Sequence, residues 1–542
     1  MSASKKKKLR SEEAGKLTER QVAEQKEAKK VQLYSIAFVV VLAALVVIAL
    51  VVGINRSIKA SGVNERKTIA ATVGNHEINN AELSYYYMDG INNFANNYGS
   101  YMYLYGIDAS KPLDQQVVNE ETGETWADSF ISQAVSSAQS SYALADAAAA
   151  EGFTLPETQK TQLDTMSLNL DSYATLYGYK NADAFLKAQY GSGASKESYL
   201  AYYERNLLAS AYQVHQQDSL TYTDEQLRAA DAEEPARYSS YSYNQYHLPI
   251  SRFYTGGTTD DNGTTTYSDE EKAAAAEAAE AAAAALTDSS ITSVEELDAA
   301  IAALSINEGT EASSSAYTDQ AYSGINSYVA EWITDASRQP GDLTSIPVTN
   351  TTTDENGNET ESVVAYYVVM FNGVNTNEMP LVNVRHILVS FEGETNEDGT
   401  YPEEAKEAAK ATADEILASW KDGDATEDSF AALANEKSTD TGSNTNGGLY
   451  ENVYPGQMVA NFNDWCFADD RKTGDTGIVE TNYGYHIMYF VGNAEQNYRD
   501  FQITNTLKNA DMQTWYDGLI EGCPVTNGDT SYMRKDIVLS GN

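Results

Sequence analysis

Two short stretches, "NQYHLPIS" from Asn244 and "NVRHILVS" from Asn383, are near-copies, and each holds one of the chain's five histidines in an apolar run of strand character. The segments downstream of each copy repeat as well. "TYSDEEKAAAA" from Thr266 lies against "TYPEEAKEAAK" from Thr400, and "SVEELDAAIAAL" from Ser293 against "TEDSFAALANEK" from Thr426. "VAEWITDASRQPGD" from Val329 then lies against "FNDWCFADDRKTGD" from Phe462, with Trp332 and Trp465 in register. Each block closes on a strand, "YVVMFNG" from Tyr367 or "HIMYFVG" from His486. The first helix of each block opens with an acidic turn, which suits the helix dipole. One Ala-rich helix can be low-complexity filler, but a whole series in the same order cannot. The expectation is a tandem duplication of one β-α-α-α-β-β unit.

With 542 residues, the chain has room for several domains. Residues 31–55 carry no charge, and Leu33 to Ile54 is long enough to cross about 30 Å of hydrocarbon as a helix. The Lys/Arg-rich segment before it predicts a cytoplasmic N-terminus, with the bulk of the chain outside the cell membrane. A cleaved signal peptide is the alternative, disfavoured by the long apolar core and the lack of a nearby small-residue cleavage site. Beyond a linker over 55–68, "ATVGNHEINNAELSYYY" reads as a strand pair turning at Gly74-Asn75, then a helix capped near Asn80. The pattern to about Ala236 is mostly helical. Leu200, Tyr203, Leu207 and Ala211 are expected on one face of one helix. The tail from Arg499 to Glu521 is helical too, with Ile503, Leu507, Trp515 and Leu519 roughly on one side. It is expected to complete the first helical domain.

Charge narrows the function. There are 79 acidic and 36 basic residues, a net charge of -43. Nucleic acid needs basic patches, so it is not an expected partner. Neither cysteine, Cys466 nor Cys523, belongs to a CxxC or Cys/His cluster, and there is no HExxH, so no metal site is predicted. An extracytoplasmic place would permit a bridge between the two cysteines; two buried thiols are the other reading. The 38 tyrosines serve either as half-buried core or as a contact surface for unfolded chains, since Tyr offers area at low entropic cost.

In the second block, His386 lies on the first strand and His486 on the last, where two imidazoles can hydrogen-bond. Asp440, in "KSTDTGS", lies on a rim loop. Met458 and Phe462 are four apart and share a face if helical, walling an apolar pocket floored by Leu449 and about the size of a proline ring. Read from spacing alone, the same residues also fit ordinary core and satisfied strand histidines.

Residues 382–492 resemble the parvulin family of peptidyl-prolyl isomerases, through "VRHILV", "FAALANEKSTD", "GGL", "GQMVANFNDWCF" and "TGDTGIVETNYGYHIMYF". The resemblance implies a small antiparallel sheet wrapped by helices. It implies that His386, His486 and Asp440 are catalytic and that Leu449, Met458, Phe462 and Thr481 bind substrate, with no cofactor. Phosphate-directed parvulins have a basic loop after the first strand; here "SFEGETNEDGTYPEE" is acidic, so phosphorylated substrates are not expected. The whole layout resembles PrsA-type and SurA-like extracytoplasmic foldases.

The expected architecture is therefore an α+β multidomain protein. It has a basic tail over 1–32, a transmembrane helix over 33–54, a SurA-like helical chaperone domain over 69–235 completed by 494–542, a degenerate parvulin-like module over 236–376 and a parvulin domain over 377–493. In the first block His247 is expected in the place of His386, Tyr367 in that of His486, and Ile325 and Val329 in those of Met458 and Phe462. Pro249 predicts an edge strand or bulge just after His247. The expected function is isomerisation of X-Pro bonds in exported proteins, with chaperone activity. The alternative is a non-catalytic holdase or membrane-tethered scaffold.

Overall fold

The computed structural model describes residues 59–539, except 261, 354–356 and 397. The predicted cytoplasmic tail and the apolar span over 33–54 lie outside the described residues. Among the described residues, no helix is long and apolar enough to cross a membrane. The chain divides into two compact units, one of residues up to 220 together with those from 511 onward, the other of residues 221–510.

In the first unit a short helix (Val63–Lys67) leads into β1 (Ile69–Val73) and β2 (His76–Asn79), an antiparallel pair. The turn between them uses Gly74 at φ 54°, a conformation that glycine adopts without a Cβ penalty. Helix α1 (Asn80–Tyr98) starts at once, because the Asn79 side chain accepts the Glu82 N–H. Helices α2 (Trp126–Ala150), α3 (Glu157–Leu176), α4 (Ala182–Tyr190) and α5 (Lys196–Ser219) come next. Thr125 and Asp128 cap α2 reciprocally, as Ser195 and Ser198 cap α5. The buried stripe of α5 is Tyr202, Ala209 and Tyr212, rotated from the predicted Leu200, Tyr203, Leu207 and Ala211. The helix lies against both α2 and α3, so covering two flanks moves the most buried line to the face between them. The core holds Ile78, Leu83, Tyr85, Tyr87 and Phe130. Tyr85 and Tyr87 are buried in this core, whereas Tyr101, Tyr103 and Tyr177 are exposed. From the tail, the Trp515 ring lies tilted beside Tyr212 at 5.9 Å, and a last strand (Val525–Asn527) pairs with β1.

The second unit begins with α6 (Asp224–Glu233) and contains two four-stranded antiparallel sheets. The first block runs β3 (Ser240–Pro249), α7 (Asp269–Leu286), α8 (Val294–Ala302), β4 (Ser315–Ala321), α9 (Ser327–Ile333), β5 (Leu343–Thr353) and β6 (Glu359–Asn375). The second runs β7 (Pro380–Ser390), α10 (Glu403–Asp422), α11 (Glu427–Lys437), β8 (Leu449–Val453), α12 (Ala460–Cys466), β9 (Thr476–Thr481) and β10 (Gly484–Asn497). The expected β-α-α-α-β-β order therefore gains a strand before the third helix in both blocks. That strand is short and half exposed, so it carries no apolar run to announce it. The strand orders are the same, β4-β3-β6-β5 and β8-β7-β10-β9. Pro249 makes neither an edge nor a bulge: β3 is central, and the proline is its last residue, opposite Ala365.

The two sheets are finished alike. Arg338 lies over the Trp332 ring at 4.8 Å and Arg471 over Trp465 at 3.9 Å. Each arginine also approaches an aspartate four residues on, Asp342 at 3.5 Å and Asp475 at 3.7 Å. The backbones of Gly341 and Asp342 bracket Phe371 with two hydrogen bonds, as those of Gly474 and Asp475 bracket Phe490. Cys466 and Cys523 are both buried and free.

Candidate active site

His386 and His486 project from the two central strands of the second sheet. The register pairs His386 with Met488 and Leu388 with His486, so the imidazoles are diagonal neighbours on one face. Their Nδ1 atoms are 3.0 Å apart. His386 Nε2 lies 3.0 Å from Asp440 Oδ2 and 3.0 Å from Ser443 Oγ. His486 Nε2 lies 2.9 Å from Thr481 Oγ1. Only 2% of His386 and 6% of His486 is exposed. Burial lowers the basicity of both: His386 falls despite the opposing pull of Asp440, and His486 falls to about 4 with a further push from His386. Burial alone would raise the Asp440 carboxyl; hydrogen bonds from Ser443, Tyr450 and the Gly442 N–H outweigh it and hold the group at about 2.

These states fix the direction of every proton. Asp440 is an acceptor, so His386 carries its proton on Nε2 and turns a lone pair at Nδ1 toward His486. His486 then donates from Nδ1 and accepts the Thr481 hydroxyl at Nε2. Tyr483 N–H donates to Thr481 Oγ1 at 3.1 Å and anchors that end; Tyr450 donates to Asp440 Oδ2 at 2.8 Å and anchors the other. All four ring nitrogens are occupied, so neither imidazole keeps a free lone pair for nucleophilic attack. Both imidazoles are neutral, and the charge of the array sits on the Asp440 carboxylate at its far end.

Its walls are aromatic. Phe462 stands edge-on to His386 at 5.5 Å and to His486 at 5.3 Å, and Tyr450 stacks on His386 at 4.9 Å. Met458 is half-buried and packs on the apolar cluster that contains Phe462. Leu449 is placed differently from expectation. It pairs with Arg385, so it shares that residue's face of the sheet, while its neighbour Tyr450 pairs with Val384 and faces the histidines. Sequence reasoning missed Tyr450 and Ser443. Strand alternation beside Leu449, and a hydroxyl three residues after Asp440, were the signals that would have found them. The "GGL" turn has a steric reason. Gly448 has φ 69°, and a Cβ there would lie 2.2 Å from the His386 carbonyl oxygen.

In the first block the near-copies are not register equivalents. Phe371 faces Tyr243 as Phe490 faces Val384, and beyond the irregularity Gly373 faces Ser242 as Gly492 faces Asn383. Counting along the ladder, Gln245 opposite Val369 matches His386 opposite Met488, and His247 opposite Tyr367 matches Leu388 opposite His486. His247 is thus two residues along from the predicted place. A two-residue slip preserves side-chain alternation, so the apolar pattern cannot detect it. The Gln245 Oε1 is buried without a hydrogen-bond partner among the described residues. His247 is exposed and lies 5.0 Å from the Tyr367 ring.

Residues 366–493 match the PPIC-type PPIASE domain family. The chain is similar to the foldase protein PrsA 1 of Listeria monocytogenes serotype 4b, 31% identical over 185 residues, covering 34% of this chain and 50% of that protein. It is also similar to the chaperone SurA of Chromohalobacter salexigens, 33% identical over 156 residues, covering 27% of this chain and 32% of that one. Among solved structures, PrsA of Bacillus subtilis shares 26% identity over 26% of this chain and 48% of its own, with a TM-score of 0.18. The chain spans about half the length, or less, of these curated relatives. Residues 366–493 carry a PPIC-type peptidyl-prolyl isomerase domain, within a chain that resembles PrsA and SurA foldases.

Proposed function

We propose that this protein is an extracytoplasmic foldase that isomerises X-Pro bonds in exported polypeptides and holds those polypeptides while they fold. The observation that carries the reading is the closed hydrogen-bond array from Tyr450 through Asp440, His386 and His486 to Thr481, faced by Phe462. An X-Pro bond turns over a barrier of roughly 18–20 kcal/mol because amide resonance must be broken, and no covalent intermediate is needed. A site whose nitrogens are all spoken for suits that task. Met458 and Phe462 grip the proline ring, and Thr481 lies at the rim. The neutral histidine floor accepts the twisted amide better than either planar form, which lowers the barrier. Exclusion of water also weakens the solvation that favours the charge-separated planar amide.

The reading extends to the rest of the chain. The helical domain over 69–235, completed by 494–542, holds clients. Residues 236–376 are a catalytically silent copy of the isomerase module over 377–493. The apolar span over 33–54 anchors the protein in the cell membrane with its N-terminus in the cytoplasm. The acidic loop over 390–404 disfavours phosphorylated substrates by charge repulsion.

The test is cis–trans exchange of unphosphorylated X-Pro peptides by the full chain, measured by NMR exchange spectroscopy. Catalysis is expected, and slower catalysis on phospho-Ser-Pro and phospho-Thr-Pro peptides. Exchange at the uncatalysed rate would leave a holdase; exchange only on phosphorylated peptides would refute the specificity.

A further inference from the structure

In the helical unit, a cleft of about 380 Å3 opens between α1, α2 and α5. Asp89 lies in its wall, and most of that carboxylate is buried. Tyr202 donates to Asp89 Oδ2 at 2.7 Å and Tyr190 to Oδ1 at 3.3 Å. Burial raises the Asp89 carboxyl against these two hydrogen bonds, and no cationic side chain acts on it among the described residues. A buried carboxylate met only by phenols is costly to keep ionised, and a cation entering the cleft would remove that cost.

The rest of the lining suits such a cation. Tyr86 and Tyr202 meet edge to face at 4.6 Å and are buried, while Phe94 and Tyr98 stand along the same wall, with Tyr98 exposed. Aromatic faces attract ammonium and guanidinium groups. The side chains of Asn93 and Gln133 add carbonyl oxygens that accept N–H bonds. Gly90 lies in the middle of α1, where glycine weakens a helix. A Cβ there would meet only Gln133 Oε1, at 3.6 Å, so the position is not forced to be glycine by crowding. Its absent side chain leaves the cleft open beside Asp89. The chain's excess of acidic over basic residues, 79 against 36, draws cations toward every such opening.

We propose that this cleft binds the cationic side chain of a lysine or arginine carried by an unfolded polypeptide. The source of the cation rests on the reading of this unit as a client-holding domain; the affinity for an alkyl cation does not. Calorimetric titration of the full chain with an acetylated, amidated lysine peptide and its norleucine counterpart tests both parts. The lysine peptide should bind about tenfold more tightly, a difference of one decade in Kd. Asp89→Asn should abolish that difference while X-Pro exchange stays unchanged. Gly90→Leu, which adds a side chain within the cleft and leaves Asp89 itself unaltered, should weaken the lysine peptide alike and keeps the test open if Asp89→Asn does not fold. Equal binding of the two peptides to the native chain would overturn the proposal, as would a preference that survives both substitutions. Butylammonium binding as tightly as the peptide would overturn the polypeptide source. A native chain that prefers lysine yet does not slow aggregation of a denatured protein would remove the chaperone reading and leave the cleft in place.

Discussion

The two blocks of the second unit have one scaffold and two different interiors. Each has the same strand order, a tryptophan under an arginine and a phenylalanine bracketed by two backbone bonds. At the position of His386, buried and bonded through both nitrogens, the first block has Gln245, whose buried carbonyl has no partner among the described residues. At the position of Phe462 it has Val329, which fills the core without presenting a ring. The lesson is that sheet order and the Trp–Arg contact belong to folding, while the polar array is separable from them. A copy can lose the second and keep the first. The sharpest way to break this comparison is on catalysis. Removing Phe462 or His386 by alanine substitution should lower kcat/KM for X-Pro exchange about 100-fold, equivalent to roughly 2.7 kcal/mol of transition-state fit. Val329→Ala and His247→Ala should leave it within about twofold, because neither residue reaches the array. Fully active His386→Ala protein would remove the histidine from the machinery, and a large loss in His247→Ala would make the first block catalytic.

Acid should separate the blocks next. In the folded second block His486 titrates near 4, below the ordinary 6.5 of an exposed imidazole, and His386 is lowered as well. An unfolded chain therefore binds more protons than the folded one between those values. Stability from the pair is fully present above about 6.5 and is lost as pH falls toward 4. For His486 alone the loss is on the order of 3 kcal/mol. Asp440 adds a loss in the same direction below its unfolded value, down to about 2. Hydrogen exchange of the full chain, read block by block by mass spectrometry, should show protection in β7 and β10 falling between pH 6.5 and 4, while β3 and β6 hold theirs. Parallel loss in both blocks would mean that the histidine pair is not what sets the acid sensitivity.

Much of this was legible in the sequence. The two blocks showed because helices with acidic openings and a tryptophan in each copy fall in one order, and the turn at Gly74-Asn75 and a cap expected near Asn80, found at Asn79, marked the strand pair and first long helix of the first unit. The site was legible as residue types: His386, His486, Asp440, Thr481, Met458 and Phe462 do converge on one face. Register was not. "NQYHLPIS" and "NVRHILVS" align on their histidines by eye, yet the ladder slips them by two residues, and an alternating pattern is blind to an even slip. Tyr450 was hidden for a related reason. Its neighbour Leu449 carried the family motif, and only pairing with Val384 shows which of the two faces the histidines.

The smallest effect tests the half of the comparison that claims identity. Arg338 on Trp332 and Arg471 on Trp465 occupy matching places, each with an aspartate four residues on and each beside a bracketed phenylalanine. Both arginines are partly exposed, at 24% and 18% of the side chain, so solvent screens both ion pairs. Arg471 also donates its Nε–H to the Trp465 carbonyl oxygen at 2.9 Å, whereas the Arg338 Nε has no partner among the described residues. A cation over an indole at a half-exposed site contributes about 0.5–1 kcal/mol. Arg338→Gln and Arg471→Gln keep most of the stem that covers the ring and remove the charge. Each should cost that amount in the local opening free energy of its own block, with about 1 kcal/mol more for Arg471→Gln from its lost hydrogen bond to Trp465. X-Pro exchange should be unaffected by Arg338→Gln. If Arg471→Gln exceeds Arg338→Gln by more than that hydrogen bond accounts for, the contact in the second block supports the site as well as the sheet. Costs that differ by that bond alone leave the chemical difference between the blocks where the side chains put it, in the pair His386 and His486, and in the ring of Phe462.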